Sequence, residues 1–160
     1  MSILVACVGN IFHGDDAFGC EVANALLRRG PEQNVRVVDF GIRGLDLTYA
    51  LLDAPELTIL VDTVSRGSEP GTLYTIEPDL EDLEAAGQTA VDPHGMDPLQ
   101  VLRVAKSMGG QLGRILLVGC EPADLGGEDG RMGLTPPVSA AIEQAVAMVE
   151  SLIEKELQEV

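Results

Sequence analysis

The sequence predicts an α/β protein: a three-layer α/β/α sandwich around a five-stranded, mostly parallel sheet with one antiparallel edge strand. Three observations carry that expectation. The runs Ser2–Val8, Leu57–Thr63 and Arg114–Cys120 are apolar almost throughout, which is how strands covered on both faces read. Segments of helical period separate these strands in alternation, the order that places helices over a parallel sheet. Nearly half of the residues are apolar, yet Trp is absent and aromatics are scarce. The core must therefore be built from Val, Leu, Ile and Ala. A chain of 160 residues is expected to form one domain over 1–160, with no internal repeat and no linker.

The elements follow in order. Ser2–Val8 is a strand ended by Gly9-Asn10. Asp15 and Asp16 open a helix to Arg29, with Phe18, Val22, Ala25 and Leu26 at helical spacing and Gly30-Pro31 as its stop. Val35–Phe40 is the second strand, Leu45–Leu52 a short helix, and Leu57–Thr63 the third strand. Only the polar stretch 64–70 separates that strand from Gly71–Ile76. The gap is too short for a crossover helix, so the fourth strand is expected to be antiparallel at an edge. The stretch 77–93 is acidic and irregular and leads to His94. Asp97-Pro98 reads as an N-cap with proline in the first turn, opening a helix to about Met108. Arg114–Cys120 is the fifth strand, and the Gly-rich stretch 123–133 is expected to be a mobile loop. Thr135-Pro136-Pro137 caps the last helix, whose apolar stripe runs through Val138, Ala141, Ile142, Ala145, Val146, Val149, Leu152 and Ile153.

Charge narrows the partners. With 26 acidic residues against 10 basic ones, the formal net charge is −16, which repels nucleic acid and anionic membrane surfaces. No apolar run is long enough to cross a bilayer. The first strand lacks the basic flank and cleavage site of a signal peptide, so a cytoplasmic location is expected. Cys7, Cys20 and Cys120 have no metal-type spacing, and a buried free thiol is the simplest expectation for them.

In open sheets of this kind, ligands bind beyond the carboxyl ends of the strands, at a switch in strand order. Residues from three places could converge there. The loop from Gly9 to Asp16 follows the first strand but lacks the GxxxxGK[ST] and GxGxxG patterns, and its two acids would repel a phosphate. Asp16 has an ordinary explanation too, since the helix dipole favours acids in any first turn. Asp15 is adjacent, so the two point in different directions and do not form a shared-proton pair. Asp62 closes an apolar strand, where an unpaired carboxylate is costly; a hydrogen-bonded structural acid and a functional one are both open. His94, between Pro93 and Gly95, reads either as a solvated loop residue or as a ligand. Together the two carboxylates and the imidazole form an oxygen-and-nitrogen set suited to borderline divalent ions such as Zn, Ni or Mn. Three protein ligands leave positions for water or substrate. No GxSxG elbow competes.

At this point the residues resemble a known family, the endopeptidases that process the large subunit of nickel–iron hydrogenases. The resembling stretches are VGNIFHGDDAFGCEVANAL, DFGIRGLDL, ILVDTVSRGSEPGTLY, DPHGMDPLQVL, LLVGCEP and GLTPPVSAAIE, in that order along almost the whole chain. The resemblance implies that Asp16, Asp62 and His94 are metal ligands, with Asp16 and Asp62 also catalytic. It implies as substrate a large-subunit precursor with nickel already inserted, from which a short C-terminal extension is cut. Nickel would arrive with the precursor, and another divalent ion would substitute in the isolated protein. Asp16 stands where the family often has Glu, and Asp39–Gly44, linked in the family to substrate choice, departs from the commoner Asp-Gly-Gly-Thr type. Two mechanisms follow from the resemblance: nickel or a ligated carboxylate polarises the scissile carbonyl or activates a water, or Asp16 or Asp62 acts as general base.

Two other readings compete with this one. A non-catalytic nickel-binding or chaperone protein would use the same three ligands. A Mg-dependent receiver module also has an acid pair after strand one and an Asp ending strand three. Here, however, a whole loop separates the pair from the strand, and Gly119-Cys120 rather than Lys ends the fifth strand.

Overall fold

A computed structural model of the protein describes residues 2–79, 81 and 96–159. Five strands form one sheet: β1 (Ile3–Val8), β2 (Val35–Gly41), β3 (Leu57–Thr63), β4 (Leu73–Ile76) and β5 (Arg114–Cys120). Their spatial order is β2-β1-β3-β5-β4. β1, β2, β3 and β5 run parallel, and β4 pairs antiparallel with β5 at the edge. The expected sheet is therefore the one observed.

The apolar runs are continuous because the central strands are covered twice. Every residue of β1 is buried, and successive side chains point to opposite faces. Ile3, Val5 and Cys7 join one cluster with Leu57, Ile59, Val61, Leu116 and Val118. Leu4, Ala6 and Val8 join the other with Phe40, Leu60 and Ile115. Helices α1 (Phe18–Arg28) and α4 (Pro136–Gln158) cover the first face. Helices α2 (Gly44–Leu52) and α3 (Pro98–Ser107) cover the second. Each large aliphatic side chain so buried contributes about 1.5–3 kcal/mol relative to exposure.

Element ends differ from the sequence pattern in two places that matter. Asp15 and Asp16 lie not in the α-helix but in a 3-10 turn, Gly14–Ala17, that precedes α1; the amide of Asp16 donates to the carbonyl of His13 at 3.1 Å. Strand β4 starts at Leu73 rather than Gly71. Gly71 adopts φ +88 and the Thr72 amide turns back to the Glu69 carbonyl at 3.1 Å, so the chain is still turning there. The Asp97-Pro98 start of α3 is as expected, with the Asp97 carboxylate accepting from the Leu99 amide at 3.0 Å. Thr135 occupies the N-cap position of α4, but its hydroxyl makes no cap bond.

The topology fixes where a site can form. From β1 the chain passes through α1 to β2 on one side, then returns through α2 to β3 on the other side of β1. Strand order therefore switches between β1 and β3, and their carboxyl ends open a crevice. Helix α1 approaches it closely: a Cβ on Gly19 would collide with the carbonyl oxygens of Val8 and Val61.

Candidate functional site

The loop after β1 and the end of β3 meet at the switch in strand order. Asp16, half-buried, accepts from the Asn10 amide through Oδ2 (3.0 Å) and from the Thr63 hydroxyl through Oδ1 (3.1 Å). Asp62, also half-buried, accepts from the Thr63 amide at 2.8 Å. Thr63 thus joins the two acids, its hydroxyl on one and its amide on the other. Burial pushes the Asp62 carboxyl well above the usual carboxylate range, and the charge of Asp16 pushes it further. The Thr63 amide opposes that rise, while the charge of Asp97 adds to it. Two like charges in a partly dry crevice disfavour the ionisation of both.

Asp15 behaves differently. It is fully buried and its carboxylate turns away from Asp16 toward the loop that follows β5. Oδ2 accepts from the amides of Ala123 (2.8 Å) and Asp124 (2.9 Å), and Oδ1 from the amide of Thr135 (2.7 Å). The Thr135 hydroxyl lies 2.9 Å from both oxygens. Burial alone would raise this carboxyl, but the donors from Thr135, Asp124 and Ala123 outweigh it and hold it below the usual range. The loop from 123 to 133 is accordingly anchored, where its glycines predicted mobility: Arg131 pairs with Asp124 at 2.8 Å, and its backbone joins those of Phe12 and Gly14. Gly14 must be glycine, with φ +56 and a Cβ that would stand 2.5 Å from the Asp124 carbonyl oxygen.

A fourth acid, Glu121, shapes the wall after β3. Its Oε1 accepts from the Tyr74 hydroxyl (2.7 Å) and from the amides of Arg66 (2.9 Å) and Ser68 (3.1 Å). The Tyr74 hydroxyl and these amides hold its carboxyl below the usual range against the opposing effect of burial. The guanidinium of Arg66 stacks over the Tyr74 ring at 5.5 Å.

The segment Asp39–Gly44 borders the crevice on the β2 side. The Gly9 amide donates to the Gly41 carbonyl at 3.0 Å. Asp39 Oδ1 accepts from the Gly41 amide (2.9 Å) and from the Cys20 thiol (3.3 Å). Burial and the Asp39 charge push the Cys20 thiol up to about 12, and burial raises Cys7 and Cys120 as well. All three cysteines are free and buried, so none is a poised nucleophile.

Of the three ligands expected from sequence, the structure brings Asp16 and Asp62 together, and His94 lies outside the described residues. The chain re-enters the described residues beside this region: a Cβ on Gly44 would meet the Met96 side chain at 3.3 Å, and the charge of Asp97 acts on Asp62. Among the described residues, no three His, Cys, Asp or Glu side chains converge to hold a metal ion. Asp16 and Asp62 supply oxygen donors of the kind a borderline divalent ion accepts. His13, the other histidine, pairs its backbone with that of Arg131 in an isolated β-bridge. The sequence pattern placed Thr135 only as a helix cap and Asn10 only at a strand end, and it did not single out Thr63 or Glu121. Thr63 and Glu121 nonetheless carried a local signal, each standing at the carboxyl end of a buried strand.

Comparison with known proteins agrees with this architecture. The family model HycI, hydrogenase maturation protease, matches residues 20–152. The hydrogenase expression/formation protein HupD of Rhizobium leguminosarum bv. viciae is 36% identical, over 93% of this chain and 74% of that one. The hydrogenase 2 maturation protease of Escherichia coli is 32% identical, over 93% of this chain and 88% of its own length. The solved structure of the hydrogenase maturating endopeptidase HybD from E. coli superposes with a TM-score of 0.81 at 31% identity, covering 98% of this chain and 94% of that one. The chain belongs to the hydrogenase maturation protease family.

Proposed function

We propose that this hydrogenase maturation protease removes the C-terminal extension of a nickel–iron hydrogenase large-subunit precursor, and that it senses nickel already seated in that precursor. The observation that carries the reading is the Asp16–Asp62 pair, two carboxylates joined through Thr63 at the switch in strand order. Burial and, after it, the charge of Asp16 raise Asp62, and a divalent ion between the two carboxylates would favour their charged forms. Nickel is part of the substrate in this reading. His94 supplies the third, nitrogen donor.

The surroundings support a protein substrate. Ile11 and Phe12 after β1, Ile42 and Leu45 after β2, and Leu125 and Met132 after β5 all leave their side chains exposed around the same end of the sheet. Exposed apolar side chains on three loops and the first turn of α2, at one mouth, suit a chain laid across it. The net charge of −16 favours a partner presenting a cation or a basic patch. Among the described residues no helix is long and apolar enough to cross a membrane, and the proposed setting is the cytoplasm.

At the scissile bond, Asp16 and Asp62 have two roles open to them. Holding the precursor's nickel would orient the bond, and the metal supplies Lewis acidity when bound. The raised Asp62 carboxyl would be suited to receiving a proton from an attacking water. Intact mass spectrometry of precursor incubated with this protein decides the reading. Loss of a C-terminal peptide from nickel-loaded precursor, with nickel-free precursor left whole, is expected. An uncut, correctly loaded cognate precursor overturns it and leaves a nickel-binding or chaperone protein on the same fold.

A further inference from the structure

We infer that Asp15 is a positioning residue for the Asp16–Asp62 pair: its buried carboxylate locks the turn that carries Asp16 onto Thr135 and onto the loop after β5. The inference rests on the reading that Asp16 acts in the crevice.

The 3-10 turn Gly14–Ala17 is four residues long, too short to hold its own shape. Its backbone is held from across the molecule instead. The Gly14 amide donates to the Arg131 carbonyl and the Asp15 amide to the Asp124 carbonyl, both at 2.8 Å. The Asp15 side chain then enters the interior and receives three backbone amides and one hydroxyl. A rotation of the turn that carried Asp16 away from Asn10 and Thr63 would have to pull Asp15 from all of these donors. Neither oxygen of Asp15 faces the crevice, so Asp15 acts through Asp16 and not on substrate.

The start of α4 is built for the same purpose. Pro136 and Pro137 occupy its first turn and have no amide hydrogen to be capped. A Thr at an N-cap ordinarily accepts from an amide of that turn. Here the Thr135 hydroxyl makes no such bond and donates to Asp15 instead. Its own amide takes the same partner. The cap residue of the longest helix is therefore turned toward the acid next to Asp16.

The test uses Thr135→Val, which keeps shape and backbone donor but removes the hydroxyl, and Thr135→Ser, which restores it. Asp15→Asn is the stronger variant but risks unfolding. Two readouts are taken on variants that melt cooperatively: hydrogen exchange of the Asn10 amide, which reports its bond to Asp16, and kcat and KM on nickel-loaded precursor. Thr135→Val is expected to speed Asn10 exchange about tenfold and to lower kcat about tenfold with KM within about twofold. Thr135→Ser should bring both back to within about twofold of wild type. Unchanged Asn10 exchange, unchanged kcat, a loss confined to KM, or a loss that Thr135→Ser does not recover each overturns the inference. If the wild-type protein cuts no precursor, the functional reading fails separately, and Asn10 exchange in the two Thr135 variants alone decides whether Asp15 holds the turn.

Discussion

Asp15 and Glu121 on one side, Asp16 and Asp62 on the other, are four acids at the same end of one sheet, and their surroundings are opposite. Asp15 and Glu121 are buried and accept from three or more donors each, and both carboxyls are held below the usual range. Asp16 and Asp62 are only half-buried, and the Asp62 carboxyl is raised. The first pair is neutralised by the protein itself and fastens loops. In the second, the charge of Asp16 adds to the burial that raises Asp62. A buried acid saturated with donors stabilises its neighbourhood, whereas acids set against one another store a cost that a cation or a proton relieves. Burial alone does not set the direction of a carboxyl's shift; the donors and charges around it do.

The largest expected effect breaks the second pair. Asp62→Asn removes one charge with little change of shape. Processing of nickel-loaded precursor should fall at least about a hundredfold. Because self-repulsion is relieved, the melting temperature at neutral pH should hold or rise by about 2–4 °C. A mutant that loses activity by melting well below wild type would place Asp62 among the structural acids.

Breaking the first pair should do the reverse to stability. Asp15→Asn leaves an amide group facing backbone N–H donors in a dry site and should cost about 3 kcal/mol. Circular dichroism melts should then shift down by roughly 6–12 °C. A shift below about 2 °C would mean that Asp15 is held loosely and the contrast is false.

A smaller effect probes the link between Asp16 and Asp62. Thr63→Val removes the hydroxyl that Asp16 accepts from while keeping the amide that serves Asp62. Processing should drop about tenfold, and Thr63→Ser should recover most of it. Equal losses in the two variants would show that the methyl group, not the hydroxyl, matters.

The smallest effect is a pH dependence at Glu121. Its folded carboxyl titrates below the unfolded value of about 4.3 because Tyr74 and the loop amides bind the charged form. The stability it adds is therefore fully present above about pH 4.3 and is lost as pH falls through the folded value. Glu121→Gln should lower the melting temperature near pH 7, and its gap from wild type should close on acidification. A gap that stays constant from pH 7 to about pH 3 would show that charge is not what Glu121 contributes.

Much of this arrangement is legible in the residues. The covered strands announce themselves because residues buried on both faces leave no polar alternation. Asp97-Pro98 marks a helix start because both act within one turn. The short gap 64–70 predicts an antiparallel edge strand because seven residues cannot carry a crossover. Asp62 is visible at the end of its strand for the same local reason. Resemblance along the chain supplied the family, and with it the expectation for His94.

What the residues alone could not assign is which member of the Asp15-Asp16 pair faces the crevice, since both suit a first turn equally well. Nor could they show that the glycine-rich loop is anchored, or that Thr135 turns its hydroxyl from its own helix to an acid 120 residues earlier. Local sequence fixes what depends on the nearest turn of chain: strand or helix, start or stop. The partner of a buried carboxylate is decided by topology, which brings the loop after β1 against the loop after β5. A charge without water must find its donors wherever the fold has placed them.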